Sequence, residues 1–412
     1  MTNPLLPLNT ALRKSTSRLC TSGVWPSPSI ISPKYSYSCR QTRAAHSHSP
    51  FAPRLVQRTA SFRTSSNSAA RNVLASSSGI KNTVIPYRNS QSSTSIGRAA
   101  YSYVANPPQE PLIQNVFEDV TGTWQYVVVD PETKAAATID AVLDYDPVTL
   151  AVDTRTADGL LALIDQHGYK VQWILETHAH ADHLSAAAYL QDRLAEKQGE
   201  RPPIGIGKRI GQVQQLFGRR YGVPSEEYED VFAKLFDDDE VFEIGNLKAK
   251  AMHLPGHTPD HLGYKIGDNV FCGDTIFHVD IGTARCDFPG GSASDLWDSA
   301  RRLLSLPDHV KIWMGHDYPP GNRRKPVACL TVKEHRELNK HLKNGITRDE
   351  FLTMRREKDY ILKEPRLLHQ SLQINIRAGH LPEPTEAGLQ LLHTPIKLPG
   401  TISTRPGKTA EK

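Results

Sequence analysis

The first 109 residues of this 412-residue chain contain no aspartate or glutamate. The same stretch is rich in serine and holds thirteen of the 49 lysines and arginines. A segment rich in arginine and serine and free of acid is typical of a mitochondrial transit peptide, and a disordered serine-rich tail has a similar composition. We predict that residues 1–105 stay outside the folded domain as transit peptide and linker, and that they direct the protein to the mitochondrial matrix.

The net charge of +5 comes from this N-terminal segment alone. All 44 acidic residues lie from Glu110 onward together with 36 basic residues, so that part of the chain carries a charge of −8. An acidic folded region argues against nucleic acid binding, which needs a basic surface. The chain also lacks an apolar run of about 18 residues, so we expect no membrane span.

Cysteine is scarce, with five residues in the whole chain. Cys20 and Cys39 lie in the predicted transit peptide, and Cys272, Cys286 and Cys329 show no CxxC spacing. This pattern indicates neither a disulfide framework nor a thiolate zinc site. It fits a reducing compartment such as the cytosol or the mitochondrial matrix.

After the acid-free segment, strand-like and helix-like segments alternate. TWQYVVVD and AAATIDAV predict a hairpin around DPET, and TADGLLALIDQHG predicts a helix with Thr156 as its N-cap and Gly168 as its end. KVQWILET predicts a strand that leads into the helix LSAAAYLQDRLAEKQ; the strands EVFEIG, LKAKAMHL, LGYKIG, NVFCGD and VKIWMGHD follow, with the helix SASDLWDSARRLLSLP before the last. The predicted organisation is an α/β domain over residues 110–320, a helical C-terminal extension over 321–395 and a loose tail over 396–412.

The segment THAHADH places three imidazoles and a carboxylate directly after a predicted strand. Burying several ionisable groups together is costly unless they are paired or bound to a metal, so the segment indicates a metal site. Further candidate ligands occur in LPGHTPDH, FCGDT and WMGHDY, each after an apolar stretch, and a compact sheet can bring them to the same point. The candidate metal ligands are His178, His180, Asp182, His183, His257, Asp274 and His316.

The motifs THAHADH, PGHTPDH, GDT and GHDY, in this order, resemble the ligand motifs of the metallo-β-lactamase superfamily. The resemblance covers about residues 112–320. It implies an α/β fold, the αββα sandwich, with the metal in the groove between the edges of the two sheets.

Within that superfamily, ETHAHADHLSA, GTARCDF and GHDY are most similar to the persulfide dioxygenase branch, which usually has threonine in place of Cys286. This resemblance implies one Fe(II) per chain, oxidation of glutathione persulfide to sulfite, and His178, His257 and Asp274 as iron ligands and catalytic residues. Two histidines and one carboxylate form the ligand pattern of non-haem Fe(II) oxygenases, with open positions for the persulfide sulfur and O2. The groups that then only support the iron are His180, Asp182, His183 and His316.

A thioesterase similar to glyoxalase II is the alternative. It uses two zinc ions, and a metal-bound hydroxide attacks the thioester. By that resemblance, Asp274 bridges the two ions. The first ion is held by His178, His180 and His257, and the second by Asp182, His183 and His316. A third class, a metal-bearing protein that only binds partners, is disfavoured by the complete ligand set.

Arg285 and Tyr318 are the candidates for substrate binding. Arg285 can hold a carboxylate of the thiol with two parallel hydrogen bonds, or it can form a structural salt bridge with Asp287. Tyr318, two residues after His316, offers a phenolic donor. We therefore expect a small thiol or persulfide and O2 as partners, and the sequence leaves a homo-oligomer open.

Overall fold

Two six-stranded β-sheets lie face to face in the computed structural model, which describes residues 110–321 and 323–399. The predicted transit peptide lies outside the described residues, as do residues 400–412 of the predicted tail. The strands, in chain order, are β1 (Leu112–Glu118), β2 (Thr123–Val129), β3 (Ala135–Ile139), β4 (Val142–Asp146), β5 (Ala151–Asp153), β6 (Lys170–Leu175), β7 (Leu184–Ser185), β8 (Ile204–Gly207), β9 (Lys234–Phe236), β10 (Val241–Ile244), β11 (Leu247–His253), β12 (Leu262–Ile266), β13 (Asn269–Phe271), β14 (Lys311–Trp313) and β15 (Cys329–Thr331).

The first sheet has the order β1-β2-β3-β6-β8-β9, and the second has the order β10-β11-β12-β13-β14-β15. Strands β5, β4 and β7 form a small third sheet. β2 and β3 pair antiparallel, as the predicted hairpin requires. The helices are α1 (Arg155–His167), α2 (Ala187–Gln198), α3 (Ile210–Tyr221), α4 (Ala293–Leu304), α5 (Val332–Leu338), α6 (Arg348–Tyr360) and α7 (Leu368–Asn375), with a short 3-10 helix at Ser225–Glu227.

The core is built in layers, which explains why β2 is buried on both faces. Trp124, Tyr126 and Val128 pack between the sheets, whereas Val127 and Val129 pack under the helices, because successive side chains of a strand point to opposite faces. Helices α1, α2, α3 and α7 cover the outer face of the first sheet, and α4 and α6 cover that of the second. The predicted α/β class and αββα sandwich are confirmed.

The ends of α1 test the predicted helix signals. Gly168 ends the helix in the left-handed conformation, with φ 64° and ψ 38°, which glycine adopts without a Cβ penalty. The predicted N-cap was wrong, because the helix begins at Arg155 and Thr154 is its N-cap. Thr156 lies inside the first turn, where its backbone N–H and its hydroxyl both bind the Asp144 carboxylate at 2.8 Å.

The C-terminal extension contains a strand as well as helices. β15 pairs antiparallel with β14 and forms the edge of the second sheet. Capping boxes begin α5 and α6, since Thr331 and Glu334, and then Thr347 and Glu350, exchange hydrogen bonds between side chain and backbone. None of the described helices is both long enough and apolar enough to cross a bilayer.

Four connections carry the candidate ligands: those after β6, between β11 and β12, after β13 and after β14. An isolated backbone bridge joins Thr123, at the start of β2, to His316, which follows β14. This bridge ties the first sheet to the last ligand-bearing connection. The fold thus brings residues that are far apart in sequence to one edge of the sandwich.

Candidate metal centre

The predicted ligands form two clusters. One ligand atom from each of His178, His257 and Asp274 lies within 4.8 Å of the others, and these three side chains are buried. A second cluster of the same size joins His180, Asp182 and His183. The structure therefore brings together the three residues predicted to hold iron, and it places His180 in the other group.

Asp274 lies between the two clusters. Its Oδ2 is 3.7 Å from His257 Nε2, and its Oδ1 is 3.5 Å from His316 Nε2. His316 Nε2 also lies 3.1 Å from Asp182 Oδ2. One carboxylate thus has an oxygen toward each cluster, which is the position of a bridging ligand.

Hydrogen bonds fix which nitrogen of His178 is available. Thr177 Oγ1 donates to Asp140 Oδ2 at 2.8 Å, so it can only accept from His178 Nδ1, 3.0 Å away. The proton is therefore on Nδ1, and Nε2 keeps its lone pair. Burial and neighbouring imidazoles lower the pKa of His178 well below its usual range, which keeps the ring neutral. A neutral ring with a fixed tautomer is what a metal ligand needs.

The same logic applies to His257 and His316. His257 Nδ1 donates to the carbonyl of Arg285 at 2.8 Å, and His316 Nδ1 donates to the carbonyl of Gly122 at 3.2 Å. Both rings therefore present Nε2 toward the centre, and this nitrogen has a lone pair when the ring is neutral. Burial opposes a charge on His316, but the Asp274 and Asp182 carboxylates raise its pKa above the usual value.

Two buried carboxylates hold His180. Its Nε2 lies 3.1 Å from Asp140 Oδ1 and 3.2 Å from Glu176 Oε2, so Nδ1 is the nitrogen that faces the centre. Burial disfavours a charge on the ring, yet Asp140 and Glu176 raise the pKa of His180 well above its usual value. Ser185 donates to the other oxygen of Glu176 at 2.6 Å and holds this carboxylate in place.

The donor set fits a metal. Buried polar atoms normally have partners, and each exception needs an explanation. Among the described residues, four buried atoms that face the centre lack a hydrogen-bond partner, namely His178 Nε2, His180 Nδ1, His183 Nε2 and Asp274 Oδ1. Three imidazole nitrogens and one carboxylate oxygen suit zinc or iron.

Comparison with known proteins identifies the family. The profile of the metallo-beta-lactamase superfamily matches residues 120–316. The "Beta-lactamase hydrolase-like protein" of Xylella fastidiosa is 42% identical over 302 residues, which cover 73% of this chain and 68% of that protein. "Glyoxylase B2" of Dictyostelium discoideum is 43% identical over 279 residues, 67% of this chain and 94% of that protein. The chain belongs to the metallo-β-lactamase superfamily.

A solved structure supports the same assignment. ETHE1 from Myxococcus xanthus aligns with a TM-score of 0.52 and 25% identity, over 65% of this chain and all of that one. The predicted resemblance to the metallo-β-lactamase superfamily is therefore confirmed. The relatives' names differ in the activity they state, so the finer assignment depends on the site itself.

Several residues that support this metallo-β-lactamase centre were not singled out in the sequence. His261 Nε2 accepts the backbone N–H of Asp274 at 2.9 Å, and its ring stacks on His178 with centroids 4.8 Å apart. The presence of His261 in the ligand-bearing motif PGHTPDH could have identified it as a supporting residue. Asp140 and Glu176 were detectable only as acidic residues at the ends of apolar strands.

Asn375, the last residue of α7, holds the segment that carries the second cluster. Its Nδ2 donates to the carbonyls of His180 and His183, and its Oδ1 accepts from the N–H of Ser185, each at 2.8 Å. The side chain is buried. The C-terminal extension therefore contributes directly to the geometry of the metal centre.

A cavity of ≈350 Å³ opens onto the centre, with His257, Asp274 and both predicted substrate residues in its wall. The Arg285 guanidinium is held by the Asp287 carboxylate and donates to the carbonyl of Lys363 at 2.9 Å. Tyr318 stacks on His316, with ring centroids 5.6 Å apart. Both residues reach the cavity, and their roles toward substrate stay predictions.

Proposed function

We propose that the protein is a persulfide dioxygenase with one Fe(II) held by His178, His257 and Asp274. The observation that carries the proposal is the cluster of these three donors within 4.8 Å, which has the composition of a non-haem iron site. The Nε2 atom of His180 is already engaged by the Asp140 and Glu176 carboxylates. This residue therefore acts as a supporting group in the one-iron proposal, although its ring lies beside that of His178, with centroids 4.1 Å apart.

The proposed substrate is glutathione persulfide or a similar small persulfide. Fe(II) held by His178, His257 and Asp274 would supply the redox chemistry that brings O2 to the persulfide sulfur. In the overall reaction the S–S bond breaks, and O2 and one water supply the three oxygens of sulfite. Four electrons pass to O2, and the inner sulfur leaves as the thiol.

The chain's own residues orient and enclose this chemistry. The carbonyl of Arg285 fixes the His257 ring, and Thr177 fixes the His178 ring. Phe277 and Ala284 contribute apolar surface to the cavity wall beside the proposed position of the sulfur. Holding both reactants in one small cavity makes their encounter effectively intramolecular.

A two-metal thioester hydrolase is the second candidate. The position of Asp274 between the clusters favours it, as does the unpartnered His183 Nε2. Its support among relatives is the name "Glyoxylase B2" and a "Hydroxyacylglutathione hydrolase" of Rhodopseudomonas palustris, which is 29% identical over 211 residues, 49% of this chain and 66% of that protein.

Oxygen uptake separates the two candidates. We expect the iron-loaded protein to consume O2 with glutathione persulfide and to leave lactoylglutathione intact. Asp274→Ala should reduce oxygen uptake by more than about 100-fold. This loss is larger than the one expected when a residue that only supports a metal ligand is removed. His316→Ala is the matched comparison and should keep at least about a tenth of the activity, since a one-iron centre does not use this ligand. Thioester hydrolysis without oxygen uptake would reverse the ranking.

A further inference from the structure

A second cavity, of ≈450 Å³, lies beside the one that opens onto the metal centre. The two cavities share Val120, Thr121 and Arg366 in their walls. Asp182 lines the first cavity, and the adjacent His183 lines the second. The two cavities therefore adjoin, and these shared side chains lie between the metal centre and the second cavity.

Arg366 lies at the junction of the two cavities, in the wall of both. It is an exposed residue between α6 and α7. Within residues 110–321 and 323–399, no hydrogen bond or ion pair engages its side chain, and Asp146 interacts with it through charge alone. Arg285, on the wall of the first cavity, is by contrast already bound by Asp287 and the carbonyl of Lys363. Arg155, also in the wall of the second cavity, lies 3.8 Å from the Asp144 and Asp153 carboxylates. Of these three arginines, Arg366 alone has a guanidinium without a hydrogen bond or an ion pair to the described part of the chain.

The far wall of the second cavity carries carboxylates in fixed positions. Asp146 accepts from the N–H of Val148 and from the Thr149 hydroxyl, both at 2.8 Å. Asp146 is exposed and lies close enough to Arg366 for their charges to interact. The wall of this cavity also carries Glu118, Asp144, Asp153 and Arg155, so it offers both positive and negative groups.

We infer that this second cavity binds the zwitterionic amino-acid end of the thiol substrate, with its carboxylate on Arg366 and its ammonium beside Asp146. The inference rests on the proposed function for the position of the sulfur. The guanidinium can make two parallel hydrogen bonds to a carboxylate, a geometry that lysine cannot reproduce. Because this group is remote from the reacting sulfur, its binding is equal in the ground and transition states and appears in KM rather than kcat.

Steady-state kinetics with two persulfides test this inference. For glutathione persulfide, Arg366→Ala should raise KM by about 10- to 100-fold with kcat little changed, the range for charged hydrogen bonds. For 2-hydroxyethyl persulfide, which has no charged end, the same variant should leave KM unchanged. Arg366→Lys should lie between the alanine variant and the natural protein. Asp146→Asn keeps the shape of its turn and should raise KM for glutathione persulfide only.

Arg356→Ala is the matched control, because Arg356 is exposed on α6 and lines neither cavity. It removes the same charge and should leave both KM values unchanged.

A binding measurement tests the inference independently of the reaction. Calorimetry of S-methylglutathione with the metal-loaded protein should show the same loss of affinity in Arg366→Ala. Equal affinity of that variant and the natural protein would overturn the inference, even if oxygen uptake is observed. If the natural protein shows no oxygen uptake but Arg366→Ala still binds S-methylglutathione more weakly, the proposed function is overturned and the inference about the second cavity stands.

Discussion

One amide, that of Asn375, links the C-terminal helices to the metal-binding segment. Asn375→Leu would leave the carbonyls of His180 and His183 buried without donors, at a cost of about 1–3 kcal/mol each in the free energy of unfolding. The segment would also lose its fixed position. We expect the metal affinity to fall by about 10- to 100-fold, the range for outer-sphere partners, as measured by chelator competition.

Gln373→Leu is the control for this prediction. Gln373 lies on the same helix, and its Nε2 donates to the carbonyls of His369 and His393, away from the metal centre. The control should lose stability in chemical denaturation without losing metal affinity. If both variants bind metal equally well, Asn375 serves stability only and the positioning role is contradicted.

For individual residues, the sequence predicts the candidate metal ligands better than it predicts the residues that hold those ligands in place. The candidate ligands occur in motifs whose composition is unusual for a core, so the sequence alone singles them out. Asn375 lies 192 residues after His183 in an ordinary amphipathic segment, and only folding brings the two together. Arg285 illustrates the converse, because the sequence could not decide between a substrate and Asp287 as its partner, and the structure shows the guanidinium bound to Asp287.

Among the elements, long segments with a clear period were predictable. β2, β3 and β6, as well as α1, α2 and α4, all lie where apolar periodicity and glycine signals predict them. β1 was not singled out, because it is an edge strand with mixed burial that depends on its pairing with β2. The three-residue β15 is too short to produce a pattern and exists through its pairing with β14.

For the whole molecule, we propose that residues 1–105 direct import into mitochondria. The basic, acid-free composition of this segment motivates the proposal. A fusion of residues 1–105 to a fluorescent protein should coincide with a mitochondrial marker. The matched control replaces Arg13, Lys14 and Arg18 with glutamate and should remain in the cytosol. Diffuse fluorescence from the unaltered fusion would count against import.

The overall architecture was accessible because ligand motifs of the metallo-β-lactamase superfamily appear in a fixed order between apolar strands. The sandwich of residues 110–320 could therefore be predicted as a whole. The packing of the C-terminal helices could not, since their contribution depends on hydrogen bonds such as those of Asn375 across nearly two hundred residues. The second cavity also arises only when the β4 region and the α6–α7 connection meet.

The central claim is that a single iron occupies the cluster of His178, His257 and Asp274. Its most direct test is the metal content of the full chain purified without oxygen, with iron and zinc counted per chain by mass spectrometry. We predict one iron per chain in the natural protein and none in Asp274→Ala. Two tightly held zinc ions per chain would contradict this account and favour the thioester hydrolase.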